Sequence, residues 1–203
     1  AIELWEDVTD DLVARLRDGA LDGILVGTDV PGADLASVAL FEEPFLAVLP
    51  ATHPLAQAGE LAARDLAPDM LVLADPHCLR DQTLAACGGH DARARALRAA
   101  SLETLVNMVA AGYGTMVIPM LAARASTVRD VVVRPLAGGV GRTIRLVSRK
   151  SFQRGPTLEA VADVIREAAS STMIEFKDGL AAHSGTESIR RAEEHASRRR
   201  TNR

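Results

Sequence analysis

The chain has 203 residues, of which 48% are hydrophobic and only 3% aromatic, so it can bury one sizeable aliphatic core or two small ones. Its net charge of −4 argues against a general attraction to nucleic acid or to an anionic membrane surface. No apolar run is long enough to cross a bilayer and no signal peptide opens the sequence, so we expect a cytoplasmic protein without a membrane partner.

Strand-like and helix-like segments alternate through the first part of the chain. Thr9 is a good N-cap for a helix whose apolar face contains Leu12 and Leu16 and which ends at Gly19. A short helical turn is expected at residues 61–66. The apolar runs that predict strands are residues 2–6, 23–26, 38–41, 45–49 and 70–73. Because the chain opens directly on the first of these strands, we expect that an upstream part of the protein is missing.

The second part of the chain continues the alternation. Ser101 can cap a helix that carries Glu103 in its first turn and stops at Gly112. Further helices are expected at residues 80–86, 121–125 and 158–165, and further strands at residues 95–99, 115–118, 131–133 and 143–147. This rhythm is typical of α/β units around mostly parallel sheets.

The composition becomes polar from about residue 170, and the segment 176–203 contains three consecutive arginines, Arg198 to Arg200. Charge runs of this kind usually repel one another and stay solvated, so we expect a loosely ordered C-terminal tail. A contact between these arginines and nucleic acid is the alternative.

Cys78 and Cys87 are the only cysteines, and His77 and Arg80 flank the first of them. The reactive form of a cysteine is the thiolate, which a nearby arginine, a protonated histidine or a helix N-terminus stabilises. The helix expected at residues 80–86 would place Cys78 near such an N-terminus. A thiolate attacks peroxide to give a sulfenic acid, and a second thiol condenses with it to a disulfide. The segment therefore predicts a redox switch.

The nine-residue spacing of the two cysteines makes this switch conformational. If the intervening residues are helical, their Cα atoms lie about 13 Å apart. A disulfide requires a Cα separation below about 7 Å. The helix must therefore unwind before the bond can form, so that oxidation replaces one local structure with another.

Three other interpretations of the cysteines remain open at this point. Both cysteines can be small buried hydrophobic residues, which is a common fate of cysteine. His77, Cys78, Cys87 and His90 can form a zinc site, although structural zinc sites usually pair cysteines two to four residues apart. Cys78 can also be the nucleophile of a turnover enzyme, such as a thiol peroxidase or a cysteine hydrolase.

A family resemblance follows from longer motifs. The run His-Cys-Leu-Arg-Asp-Gln at residues 77–82, then Cys87, then the segment 101–112 resemble the OxyR family, the peroxide-sensing members of the LysR-type transcriptional regulators. The similarity extends from Ile2 to about Ala169. The run Gly-Tyr-Gly-Thr-Met-Val-Ile-Pro at residues 112–119 is shared by LysR-type effector domains in general.

The resemblance implies an α/β fold of two Rossmann-like subdomains with a double crossover, similar to periplasmic binding proteins and incomplete at the N-terminus. The crossovers would lie near Pro44 and Arg142. The implied parts are a partial subdomain I of residues 1–43 and 143–170, a subdomain II of residues 44–142 with the redox cysteines, and a polar tail of residues 171–203.

Residue roles also follow from the resemblance. Cys78 matches the peroxidatic cysteine and Cys87 the resolving one. His77, Arg80 and Asp81 match the polar groups that tune and position the sensing cysteine. Arg142 matches an arginine that helps to hold the thiolate. Thr9 matches a threonine that contacts bound peroxide, and Ser101 is a further candidate for such a contact. Each has a purely structural alternative: Thr9 and Ser101 can be helix caps, Asp81 can pair with Arg80 or serve the first turn of the helix, and Arg142 can be a surface ion-pair partner.

The function implied is a redox-sensing regulatory domain of a transcription activator of the oxidative stress response. Its implied partners are hydrogen peroxide, RNA polymerase, further copies of itself in a dimer or tetramer, and DNA through a winged helix-turn-helix that these residues do not include. No cofactor or metal is expected, and one oxidation per switching event makes it no enzyme. The alternatives are a LysR-type domain that binds a small metabolite in its cleft and a thiol peroxidase.

Overall fold

The computed structural model describes residues 2–74, 78–87, 97–125 and 130–201, with the backbone alone from residue 181 onward. The helices are α1 Thr9–Arg17, α2 Cys78–Ala86, α3 Leu102–Ala110, α4 Met120–Ala125 and α5 Gly155–Thr201. A 3₁₀ helix spans Ala63–Asp69. The strands are β1 Gly23–Val26, β2 Leu35–Pro50, β3 Met70–Leu73, β4 Leu97–Ala99, β5 Thr115–Pro119, β6 Val131–Pro135 and β7 Gly141–Arg149.

The described strands form one path in the order β1-β7-β2-β5-β3-β4, with β6 paired to β2. The long strand β2 joins the two halves of this path. Its first part, Leu35 to Pro44, pairs with β7, and its last part pairs with β5 and β6. We call the point of change the crossover: Glu43 and Pro44 of β2 lie opposite Arg142 and Gly141 of β7.

The crossover brings two backbones into close contact. A Cβ atom on Gly141 would lie 2.5 Å from the carbonyl oxygen of Glu43, so only glycine permits this approach. β2 continues through Pro44 as one strand, so the prediction of two strands at residues 38–41 and 45–49 is wrong. A proline predicts an interruption, but the amide of the next residue, Phe45, still donates to the Val140 carbonyl at 2.9 Å.

The expectation of mostly parallel sheets is also wrong. Only β3 pairs in parallel, with β4 and β5, and the other four described pairings are antiparallel. The crossover accounts for the pairing of β2 with β7, because a chain that leaves one half of the sheet on β2 returns to it in the opposite direction on β7. The predicted subdomain bounds at residues 43/44 and 142/143 stay a prediction.

Residues 2–6 do not form the predicted strand. Ile2 and Leu4 are exposed, and Trp5 instead lies over Arg15, whose guanidinium carbon is 4.6 Å from the ring centroid. A strand needs a hydrogen-bonding neighbour, and no described strand pairs with this segment.

The core is divided between the halves of the sheet. The larger cluster surrounds β3, β5 and the last part of β2, and it includes Cys87. A smaller cluster packs α1 through Leu16 onto β1 and Val147. A third places Ala162 of α5 against Leu40 and Leu146.

Helix α5 corrects the prediction of a loose tail. Its backbone is helical to Thr201, and Met173, Phe176 and Leu180 pack against the larger core. Their spacing of three and four residues is that of one helical face, a signal that the polar composition of the segment obscured. The side chains of Arg198 to Arg200 lie outside the described residues, so the nucleic-acid alternative stays open. None of the described helices has the length and apolarity that a membrane span requires.

Candidate functional site

The first cysteine lies where a buried strand delivers the chain to a helix. All four residues of β3 are buried, and α2 begins at Cys78, which is partly exposed. The sulfur is therefore at the positive end of the α2 dipole, as the sequence predicted. His77 lies outside the described residues, so its predicted role stays a prediction.

A pocket of about 550 Å³ opens beside Cys78. It is lined by α1 with its N-cap residue Val8, by the loop of residues 28–31, and by Cys78 and Asp81 of α2. The hydroxyl of Thr9 donates to the Cys78 sulfur at 3.8 Å. Thr9 is the first residue of α1 and not its N-cap, so the prediction of a capping role is wrong. Its hydroxyl instead donates to the sulfur of a residue that lies 69 positions away in the chain.

The second cysteine lies in the opposite environment. Cys87 is 1% exposed and belongs to the larger core. Burial raises the pKa of its thiol from 9.0 to about 11, because a thiolate there would lose its hydration. Its amide donates to the Thr83 carbonyl at 3.2 Å, so the helical hydrogen bonding of α2 continues to Cys87. Both cysteines are free thiols.

Arg80 and Asp81 form a pair beside Cys78. The Arg80 Nε and Nη2 atoms donate to Oδ1 of Asp81 at 3.2 and 3.0 Å, and the arginine is only 8% exposed. The Arg80 carbonyl accepts a bond from the Thr83 hydroxyl at 2.9 Å. The structural alternative predicted for Asp81 is thus present, and Asp81 also lines the pocket. Whether either residue tunes Cys78 stays a prediction.

Arg142 lies at the crossover and binds an acid that the sequence analysis missed. Its Nε and Nη2 atoms lie 2.9 and 2.8 Å from Oε2 of Glu43, which is 1% exposed. Oε1 of the same carboxylate accepts the backbone N–H of Leu121 at 2.9 Å. Within the described part of the chain, the hydrogen bonds of Arg142 do not include Cys78. A glutamate between two apolar runs was the available signal for this buried pair.

Gln82 is a second residue that the sequence analysis left without a role. Its Nε2 donates to the carbonyl of Gly27 at 2.5 Å, across 55 positions of the chain. Its Oε1 is buried, and among the described residues it has no hydrogen-bond partner. Gln82 belongs to the same sequence run as Cys78, which was the available signal.

Ser101 is the N-cap of α3, as its structural alternative predicted. Its hydroxyl oxygen accepts the N–H of Thr104 at 3.2 Å. Ser101 is not one of the residues that line the pocket. Contact with peroxide stays a prediction for Ser101 and for Thr9.

The described residues contain no group of three or more His, Cys, Asp or Glu side chains arranged to hold a metal ion. Two of the four zinc ligands considered above, His77 and His90, lie outside the described residues. The zinc alternative is therefore not tested by the described residues.

The fold belongs to a known class. Residues 1–170 match the LysR substrate binding domain, and the chain belongs to that family. Within it, the chain resembles OxyR proteins. It is 38% identical over 177 residues to the "Probable hydrogen peroxide-inducible genes activator" of Mycobacterium avium. The matched residues are 84% of this chain and 56% of that protein. The chain thus spans about half the length of the curated relatives it matches.

Solved structures give the same result. The reduced form of the OxyR regulatory domain from Pseudomonas aeruginosa matches with a TM-score of 0.75 and 34% identity, over 81% of this chain and 80% of that one. The oxidised form of OxyR matches with a TM-score of 0.69 and 36% identity, over 82% and 81% of the two chains. The predicted mixed α/β fold of the LysR-type effector domain is therefore confirmed.

Proposed function

We propose that this chain is the peroxide-sensing regulatory domain of a transcription activator, in which Cys78 is oxidised and Cys87 then closes a disulfide. The observation that carries the proposal is the placement of two free thiols at opposite ends of one helix. One thiol opens onto a pocket and the other is sealed in the core. The names of its relatives, a peroxide-inducible activator and the reduced and oxidised forms of OxyR, agree with it.

The first step is attack of the Cys78 thiolate on one oxygen of hydrogen peroxide. A sulfur–oxygen bond forms, the oxygen–oxygen bond breaks, and the departing hydroxide takes a proton to become water. The positive end of α2 and the Thr9 hydroxyl, 3.8 Å from the sulfur, both favour the negative charge that this step requires. Peroxide contact by Thr9 and Ser101, and support of the thiolate by His77, Arg80, Asp81 and Arg142, belong to this proposal.

The second step is attack of Cys87 on the Cys78 sulfenic acid. The disulfide forms, the sulfur–oxygen bond breaks, and the leaving hydroxide and the Cys87 proton give a second water molecule. With α2 intact the two Cα atoms are about 13 Å apart, which exceeds the limit of about 7 Å. Burial, which raises the Cys87 pKa to about 11, keeps this thiol unreactive until α2 opens.

The opened segment would change how the two halves of the chain, residues 1–43 with 143–170 and residues 44–142, present themselves to other subunits. In the complete cytoplasmic protein, a homo-oligomer would convert this change into altered DNA binding and recruitment of RNA polymerase. The sensor changes state once per oxidation, and its relatives are named as regulators, so we propose no turnover enzyme.

Peroxide titration of the reduced chain tests the proposal. Sub-stoichiometric hydrogen peroxide, followed by thiol blocking and mass spectrometry, should give a Cys78–Cys87 disulfide. Cys78→Ser should remain unmodified, and Cys87→Ser should accumulate a Cys78 sulfenic acid without an internal disulfide. An unmodified Cys78 in the wild-type chain would overturn the proposal, and sustained peroxide consumption with a thiol reductant would instead indicate a peroxidase.

One observation supports a second candidate function. A pocket of about 550 Å³ is within the usual size range of metabolite sites and is many times larger than a peroxide molecule. The family is also described as substrate-binding. Binding of a small metabolite to the reduced chain, detected by calorimetry, would support that candidate.

A further inference from the structure

The cysteine helix is tied to the other half of the sheet by Gln82. This residue follows Cys78 by four positions, so the two side chains lie on the same face of α2. The Gln82 amide donates to the carbonyl of Gly27, the residue directly after β1. Two side chains of α2 therefore contact the first part of the chain. Gln82 binds the backbone of Gly27, and Cys78 accepts a hydrogen bond from the side chain of Thr9.

Gly27 in turn lies directly against the crossover. A Cβ atom on Gly27 would lie 3.0 Å from Cδ and 3.2 Å from Nη1 of Arg142, so the arginine packs on the bare glycine backbone. Arg142 binds the buried carboxylate of Glu43, which also accepts the N–H of Leu121 in α4. A continuous set of contacts therefore runs from α2 through Gly27 to both strands of the crossover.

We propose that Gln82 is a positioning residue that holds the reduced α2 to the crossover, and that its release during disulfide formation carries the oxidation signal there. The inference rests on the proposed function. Gln82 lies between the two cysteines, in the segment that must unwind for them to meet, so its bond to Gly27 opens at the same time.

The energetics of this link suit a contact that must open. The hydrogen bond to Gly27 stabilises the reduced arrangement, while the buried Oε1, without a partner among the described residues, works against it. Because the unpartnered Oε1 offsets part of the stabilisation by the hydrogen bond, the link holds α2 in place without preventing its release.

The test compares Gln82→Met with Ala85→Gly in the complete chain. Methionine keeps the length of the side chain and removes both the donor Nε2 and the unpartnered Oε1, and it leaves the Gly27 carbonyl without the donor that Gln82 supplies. Ala85 is exposed on the same helix, and glycine there weakens α2 without touching Gly27. Both variants should close the disulfide about fivefold faster than wild type, which corresponds to about 1 kcal/mol for one hydrogen bond or one Ala-to-Gly change.

Hydrogen exchange separates the two causes. In the reduced state, only Gln82→Met should raise amide exchange in residues 25–30 and 141–146, and oxidation should change exchange there less than in wild type. The inference would be overturned if the amides of residues 25–30 and 141–146 in reduced Gln82→Met exchanged at the wild-type rate. It would also be overturned if Ala85→Gly raised their exchange equally. The reduced-state comparison needs no oxidation, so it stays decisive even if the peroxide titration refutes the proposed function.

Discussion

The two ends of α2 place the same functional group in opposite environments. Cys78 is partly exposed beside a pocket and accepts a hydrogen bond from Thr9, whereas Cys87 is 1% exposed and has a pKa raised to about 11. Two cysteines nine positions apart thus differ in exposure: one lies beside a pocket and the other is buried in the core. In the proposed mechanism this difference sets the order of the two steps: Cys78 reacts first, and Cys87 becomes available only after α2 has opened.

The difference has a simple structural origin. Cys78 begins α2 beyond the C-terminal end of β3 and is partly exposed, while Cys87 directly follows α2 and is buried in the larger core. The helix itself is therefore the element that keeps the two thiols apart.

Removing the Thr9 hydroxyl tests the reactive end and should have the larger effect. Thr9→Val keeps the shape of the first residue of α1 and removes the donor to the Cys78 sulfur. We expect sulfenic acid formation to slow about tenfold, which corresponds to about 1.4 kcal/mol for a hydrogen bond to a charged group. Stopped-flow peroxide consumption by the Cys87→Ser chain measures this rate.

Thr9→Ser is the matched control, because it retains the hydroxyl. Its rate should remain near that of wild type. A Thr9→Val chain that reacts at the wild-type rate would show that the contact with the sulfur has no role in the first step.

The pH dependence of stability tests the buried end and should be the smaller effect. The folded chain raises the pKa of Cys87 from 9.0 to about 11, so folding favours the neutral thiol. The associated stability is complete below pH 9 and is lost as the pH rises toward 11. Between pH 8 and pH 10, the free energy of unfolding of the reduced chain should fall by about 1 kcal/mol more than that of Cys87→Ala.

Urea denaturation of both reduced chains at the two pH values provides the measurement. The alanine variant shares every other titrating group, so the difference isolates Cys87. An identical loss in the two chains would mean that Cys87 is already hydrated in the folded state.

Much of the local structure could be predicted from the sequence. The bounds of β1 and β3 match their predicted strands, and Ser101 caps α3 as predicted. In these segments the local signal and the final packing agree, because a short apolar run or a capping side chain needs no distant partner to be recognised.

Apart from α5, whose apolar face the polar composition of the segment obscured, these failures depend on distant partners. Residues 2–6 have strand-like composition but no described neighbour to pair with. Thr9 has the side chain of a helix cap, and its contact with the sulfur of Cys78 depends on the position of α2 in the fold. Glu43 acquires a role only through Arg142, which lies 99 positions away in the chain. Gln82 acquires one only through Gly27, which lies 55 positions away.

Hydrogen exchange of residues 79–86 in the reduced and oxidised chain tests the central claim most directly. We predict amides protected by α2 in the reduced state, and loss of that protection once the Cys78–Cys87 disulfide has formed, because the helical separation of about 13 Å cannot be bridged. A chain that contains this disulfide and keeps the protection of α2 unchanged would contradict the account.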